Sequence, residues 1–336
     1  MDVLIVGGTR FLGVEIVREL LAAGHRVALL ANEPPPSELA PDVETLLGDR
    51  DDAAFLATAL DGRRFDAVID NIGQSPTQSS KLLAALADRL GRILFTSTTQ
   101  VYSWRFPRAW REDEAPLEVT DLADVTDLHE HYARRKRACE RALREQPVPW
   151  TVLRPAIVVG RADNVSLPPP TYVARGAPGR SLFYPCRVLD RGPILIRRDD
   201  EATAQHVWAR DVGRAYALLV GRDDTRGHAY NLAGPEVWTS ERLVRALGHA
   251  AGLAPETVAV SPAQLVAAGL AGYEPPWGRG PYWAAFDTAK LEALGFRPTP
   301  AERWLRTLVE ASPGTGPGYE LRMREVALAR AVRRHD

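Results

Sequence analysis

The sequence predicts an α/β fold, a doubly wound parallel sheet with a smaller C-terminal lobe. Short apolar runs alternate with helical patterns through the first half, as βαβ units require. A glycine-rich turn, Gly7-Gly8-Thr9-Arg10-Phe11-Leu12-Gly13, joins the first run to the first helix. Beyond Gly160 the chain becomes rich in Pro, Gly and Arg, with Pro168-Pro169-Pro170 in a row.

Val3–Val6 is wholly apolar, as a strand buried on both faces reads. A helix runs from Phe11 to Ala23, Gly24 ends it, and Arg26–Ala31 is strand two. Val43–Leu47 reads as strand three, residues 52–60 as helix, Ala67–Asp70 as strand four and residues 77–90 as helix. Arg92–Ser97 is strand five. A loop with Trp104, Pro107 and Trp110 leads to a long helix over about 126–146, stopped by Pro147 and Pro149. Trp150–Leu153 is strand six. Helical and strand signals return at 205–232 and 239–252. Residues 258–273 read as loop and helix, and the Arg-rich tail after Gly318 as a solvated helix.

Composition excludes several classes. At 336 residues the chain has room for about two domains. With 45% hydrophobic and 25% charged residues it is not disordered. Its 42 basic and 43 acidic residues leave a net charge of −1, with no general footprint for nucleic acid or an anionic membrane. The N-terminus has no secretory pattern, and no uncharged apolar run reaches the ~18 residues of a membrane span. Cys139 and Cys186 form neither a disulfide framework nor a metal-ligand spacing. A metal-free cytoplasmic protein is expected.

The glycine turn carries the first chemical signal. At a first strand–helix junction, glycines let backbone approach a pyrophosphate, and the helix N-terminus supplies N–H groups and partial positive charge. The second signal is Tyr132-Ala133-Arg134-Arg135-Lys136, whose i, i+4 spacing puts Tyr132 and Lys136 on one helix face. A phenol is a poor base near neutrality, with a pKa of about 10. A neighbouring ammonium and a bound nicotinamide cation would both lower it. Lysine is scarce here: Lys81, Lys136 and Lys290 are the only three, against 39 arginines. A lysine kept among Arg134, Arg135 and Arg137 points to a role that a guanidinium cannot fill. Residues 1–160 thus read as a dinucleotide-binding domain. Residues 161–336 read as a substrate lobe interleaved with late sheet elements near 205–232.

With these motifs the chain resembles the extended short-chain dehydrogenase/reductases, the NAD-dependent epimerase/dehydratase group that acts largely on nucleotide-linked sugars. The resemblance covers nearly the whole length. It includes Gly48-Asp49, Phe95–Tyr102, Tyr132/Lys136 with Glu140, Leu153-Arg154-Pro155, Ala209–Val212, Tyr230-Asn231, and Asp287–Lys290 with Leu294-Gly295-Phe296. It implies a Rossmann-type fold and a homodimer. Tyr132 would be the acid/base, with Lys136 lowering its pKa and bonding the nicotinamide ribose, and Thr98 would hold the substrate oxygen. The resemblance places the cofactor on Gly7, Gly8, Thr9, Arg10, Phe11, Leu12, Gly13, Ala31, Asn32, Asp49 and Arg50, with Asp49 at the adenine amino group.

Departures from the family pattern narrow the reaction. Arg10 replaces a frequent Gly, and Ala31 with Asn32 replaces the acid that binds the ribose hydroxyls of NAD. That leans towards NADP, with Arg10 pairing its 2′-phosphate. Thr99 and Gln100 stand where dehydratases carry Asp-Glu, which argues against water elimination. They remain substrate-contact candidates. The frequent Asn for a substrate diphosphate is Ile157. Arg187, Arg197, Arg198 and Arg279 are the candidates to bind that group. His129 and His131 lack a third metal ligand, so no metal is expected. Trp104, Trp110, Tyr172, Phe183, Tyr184, Trp208 and Trp277 could shape a sugar or base pocket, with core packing as the more ordinary reading. The expected activity is epimerisation of a carbinol carbon of a nucleotide-linked sugar through a transient ketone, with NADP or NAD. Two alternatives stay open: an NADPH-dependent ketoreductase, and a non-catalytic nucleotide-sensing or RNA-associated relative, against which the Thr98/Tyr132/Lys136 set argues.

Overall fold

Asp2–Val6 (β1) lies at the centre because Val3, Leu4, Ile5 and Val6 are sealed on both faces. The computed structural model describes residues 1–102, 108–123, 125–163, 179–200, 203–273, 283–314 and 319–334. From β1 the chain alternates: Phe11–Ala22 (α1), Arg26–Ala31 (β2), Val43–Leu47 (β3), Ala53–Ala59 (α2), Ala67–Asp70 (β4) and Pro76–Leu86 (α3). Ile93–Thr96 (β5), Leu128–Arg144 (α4) and Trp150–Pro155 (β6) follow. It then leaves the sheet for Ile157–Val159 (β7), Ile194–Arg197 (β8) and Thr203–Trp208 (β9), and returns with His228–Leu232 (β10). The central sheet has seven strands in the order β10-β6-β5-β4-β1-β2-β3, parallel throughout. The order reverses between β1 and β4, and a crevice opens at the carboxyl ends of strands at such a switch point.

The later segments build a second core. There β9 pairs with β7 and with Val237–Trp238 (β11), β8 pairs with Thr257–Val260 (β12), and Trp283–Ala284 (β13) joins β9. Phe183, Tyr184, Trp238, Trp304, Leu305 and Leu308 pack between them. The structure corrects three sequence readings. The helix expected over 77–90 ends at Leu86 in a single 3₁₀ turn, Ala87–Arg89, with Ala87 at φ +49°. Thr257–Val260, read as loop, is a strand, because Val258 and Val260 face inward while Ala259 faces solvent. The tail helix, Tyr319–Arg333, is not simply solvated. Its Glu325 is fully buried and takes a bidentate pair from Arg187, while its Arg322 pairs with Asp190.

One buried polar network joins the sheet to α4. Arg154 of β6 and Glu140 of α4 are both sealed from solvent and pair bidentately, Nε to Oε1 at 2.9 Å and Nη2 to Oε2 at 2.6 Å. The Ser97 hydroxyl donates to the same carboxylate at 2.6 Å. Arg154 also donates to the Tyr102 hydroxyl at 2.8 Å, and Tyr102 donates to Asn231 Oδ1 of β10 at 2.5 Å. Glu140→Ala would strand the Arg154 guanidinium in the interior. It should cost about 3–5 kcal/mol, read as a lower urea midpoint. Wild-type stability in that variant would contradict this account.

Candidate active site

The glycine turn follows β1 directly. Gly7 has φ +85°, a conformation side chains rarely adopt, and a Cβ on Gly13 would lie 2.2 Å from the Gly7 carbonyl oxygen. The loop therefore folds tightly onto the start of α1. Arg10, at the N-cap position, makes no side-chain capping bond, and its carbonyl accepts from the Gly13 N–H at 2.8 Å. Asn71, just after β4, donates to the Gly7 carbonyl at 3.0 Å and accepts from the Thr96 hydroxyl at 3.0 Å. That bond pins the turn to β5. The close glycine packing and the lack of a side-chain cap at the start of α1 fit a dinucleotide pyrophosphate.

An open pocket of about 220 Å³ lies beside the turn. It gathers the expected Gly7, Thr9, Arg10, Ala31, Asn32, Asp49 and Arg50, and adds Leu30, Glu33, Gly48, Asn71 and Ile72. Gly8, Phe11, Leu12 and Gly13 belong to the turn and helix start behind it. Two expectations change in the pocket. Arg10 is not a free cation: its guanidinium pairs bidentately with Glu33, which also accepts from the Thr9 hydroxyl at 3.3 Å. Arg10 holds the Glu33 carboxyl below the usual range. Arg50 pairs with Asp70, Nη1 to Oδ1 at 2.6 Å and Nη2 to Oδ2 at 2.9 Å, and Ser79 donates to the same carboxylate. Burial would raise Asp70, but the Arg50 charge outweighs it and keeps Asp70 ionised.

Helix α4 brings Tyr132 and Lys136 to the carboxyl end of β5. Lys136 is buried and donates to the Gly73 carbonyl at 2.7 Å and the Thr96 carbonyl at 2.9 Å. Its Nζ lies 5.8 Å from the Tyr132 ring centroid. Burial pulls the ammonium pKa down to about 8. The phenol departs from the sequence expectation. Burial pushes Tyr132 up to about 12, opposed first by Arg180 of the second lobe and then by Arg135. The Lys136 ammonium spends two of its donors on main-chain carbonyls rather than on the phenol. Thr98 caps the short turn Thr99–Val101, accepting from the Gln100 N–H at 3.2 Å, and its own O–H remains a donor. Thr99 is buried, and Gln100 Oε1 is buried without a donor.

The substrate candidates fare unevenly. Arg187 is buried in its Glu325 pair and over the Phe183 ring, so it holds the C-terminal helix rather than a diphosphate. Arg197 pairs with Asp199 and the Tyr273 carbonyl. Arg198 is exposed, and Arg279 lies outside the described residues. Among the described residues no three His, Cys, Asp or Glu side chains converge as a metal site, and no helix is long and apolar enough to cross a membrane. Sequence reasoning missed Asn71, Asp70 and Arg180. Asn71 could have been found, because it ends β4 opposite the turn at the switch point.

The comparisons agree with this geometry. Residues 7–166 match the family model described as NAD(P)H-binding. The fold is that of NAD-dependent epimerases and dehydratases. A UDP-glucose 4-epimerase from Thermotoga maritima, solved with UDP-glucose, is 20% identical, with a TM-score of 0.69 over 96% of this chain and 100% of that one. A UDP-glucose 4-epimerase from Thermus thermophilus, solved with NAD, is 22% identical, with a TM-score of 0.68 over 93% and 98%. A dTDP-glucose 4,6-dehydratase from Streptomyces venezuelae is 21% identical, with a TM-score of 0.67 over 93% and 96%. Among curated proteins, the chloroplast stem-loop binding protein of 41 kDa b from Arabidopsis thaliana is 25% identical over 310 residues, 88% of this chain and 75% of that one.

A Cβ at Gly13 cannot coexist with the Gly7 carbonyl. Gly13→Val should therefore lower NADH affinity at least about 100-fold, the ~2.7 kcal/mol that a misplaced pyrophosphate cradle would forfeit. Calorimetry with a circular-dichroism control checks it. Unchanged affinity in a folded variant would refute the placement.

Proposed function

We propose that the protein is an NAD(P)-dependent oxidoreductase that epimerises a carbinol carbon of a nucleotide-linked sugar through a transient ketone. The observation that carries this reading is the Tyr132/Lys136 pair on one face of α4, with Lys136 bonded to Gly73 next to the pocket residue Ile72, and the Thr98 hydroxyl at the head of the turn Thr99–Val101. A bound nicotinamide dinucleotide supplies the hydride acceptor and donor. Tyr132 exchanges the proton of the reacting hydroxyl, and Thr98 donates to the same oxygen. Lys136, held on the Gly73 and Thr96 carbonyls, presents its third N–H to the cofactor ribose. Thr99 and Gln100 can hydrogen-bond a sugar but cannot relay protons at carbon, so elimination of water is not supported.

A ketoreductase would use the same residues and stop after one transfer. Cofactor released on denaturation separates the two: stoichiometric NAD(H) supports the epimerase, and an empty protein the reductase. The stem-loop binding relative supports a second reading, an RNA-associated protein. Filter binding of a stem-loop RNA with no turnover on any sugar nucleotide would favour it. A homodimer and a cytoplasmic location belong to the same proposal, the latter supported by two buried, unpaired cysteines, Cys139 and Cys186.

Tyr132→Phe should lower turnover by roughly 10²–10⁴-fold, the usual share of general acid–base catalysis. Lys136→Arg should also fail, because a planar fork cannot serve two carbonyls and a ribose from one point. Retained activity in Lys136→Arg would contradict the assigned role. In ²H₂O the epimerised product should carry no solvent deuterium at carbon. A 4-keto-6-deoxy product with solvent label would restore the dehydratase reading.

A further inference from the structure

We infer that Asp70 is a positioning residue for Lys136: its buried carboxylate, one glycine away, holds the ammonium in its charged form, and Arg50 tempers that hold. The inference rests on the role proposed above for Lys136. Lys136 is buried and spends two donors on the Gly73 and Thr96 carbonyls, and among the described residues no carboxylate touches it. Burial favours loss of its proton, so a negative charge close by is needed to keep it. Asp70, at the end of β4, supplies one. A Cβ on Gly73 would lie 2.8 Å from Asp70 Oδ2 and 2.7 Å from the Phe95 ring, and Lys136 Nζ lies 4.8 Å from the centre of that same ring. Glycine at this position lets the carboxylate close up behind the peptide whose carbonyl binds the ammonium.

The groups around Lys136 single out this carboxylate. From α4 itself come Tyr132, Cys139 and Glu140. Burial pushes the phenol up to about 12 and the Cys139 thiol up to about 11, so neither carries charge near neutrality. Glu140 is spent on Arg154. From β5 come only the Phe95 ring and the Thr96 carbonyl. From α3 the neutral Ser79 donates to Asp70 at 3.0 Å. From the loop after β3 comes Arg50, which pairs with Asp70 and, as a like charge, works against the ammonium. Asp70 outweighs Arg50 at Lys136, in keeping with its Oδ2 being set against Gly73.

The test is an NMR pH titration of the full-length protein, labelled with ¹³C at the lysine ε carbon and free of cofactor and substrate. Three lysines give three signals, and Lys136→Arg identifies one of them by removing it. Wild-type Lys136 should titrate with a midpoint of about pH 8. Asp70→Asn keeps the side-chain shape and should bring the midpoint to about pH 7 or lower, roughly a tenfold loss of proton affinity. Arg50→Gln should raise it, and the double variant should fall between the two single ones. Lys290, whose charged neighbours are Glu112, Arg154, Arg144 and Asp113, should stay in place throughout. A Lys136 midpoint that Asp70→Asn leaves unmoved would overturn the assignment. So would a double variant as low as Asp70→Asn, because the loss would then be structural. If circular dichroism shows that Asp70→Asn does not fold, Arg50→Gln decides, and a midpoint that stays or falls there overturns the assignment. No substrate enters the titration, so these failures are separate from that of the functional reading, which full turnover in Tyr132→Phe would overturn.

Discussion

The Glu140–Arg154 pair holds the site together. Two full charges with no solvent exposure persist only when each is paired and its remaining hydrogen-bonding capacity is met. Ser97, Tyr102 and the Glu112 carbonyl meet it here. Each of these partners comes from a different part of the chain: the end of β5, the loop before α4, and, through Tyr102 and Asn231, the strand β10 that returns from the second lobe. The helix that carries Tyr132 and Lys136 is thereby fixed against three elements at once. Its backbone has little say in this, because a 17-residue helix so rich in arginine has only a narrow apolar face.

The arginine bias takes on physical meaning in the same frame. Bidentate arginine–carboxylate pairs do the cross-linking: Arg50 with Asp70, Arg187 with Glu325, and Arg322 with Asp190. The three lysines are used differently. Lys81 donates to the Asp51 carbonyl at 2.6 Å, Lys136 to Gly73 and Thr96, and Lys290 to the Ala229 carbonyl at 3.0 Å. All three lysines donate to main chain, as several arginines also do, Arg135 to the Gln74 carbonyl and Arg137 to the Val101 carbonyl among them.

Electrostatics at Tyr132 link the two lobes. Burial alone makes the phenol a weaker acid, and the cation that most opposes this is Arg180, anchored on the β7 carbonyl of Val158 and on Asp163. Tyr132 thus feels a charge from the second lobe as well as from its own helix. A solvent-exposed phenol would feel neither strongly, because water would screen both.

Much of this was legible in the residues alone. The parallel sheet follows from wholly apolar runs such as Val3–Val6, whose burial on both faces leaves no other arrangement for helices that must also hide a face. The turn and the Tyr132/Lys136 face follow from local spacing, which survives in any fold that keeps the elements, whereas Asp49 came only from the family resemblance. What local spacing cannot carry is the partner of a charge. Arg187 looks like any phosphate-binding arginine until Glu325, 138 positions later, is brought against it. Arg10 and Glu33 lie 23 positions apart and meet only because β1 and β2 are neighbours in the sheet. The kinds of charge were set by sequence, but their pairing, and so which of them remain available to a ligand, was decided by tertiary structure, because Coulombic and hydrogen-bond energies depend on distances that chain position does not encode.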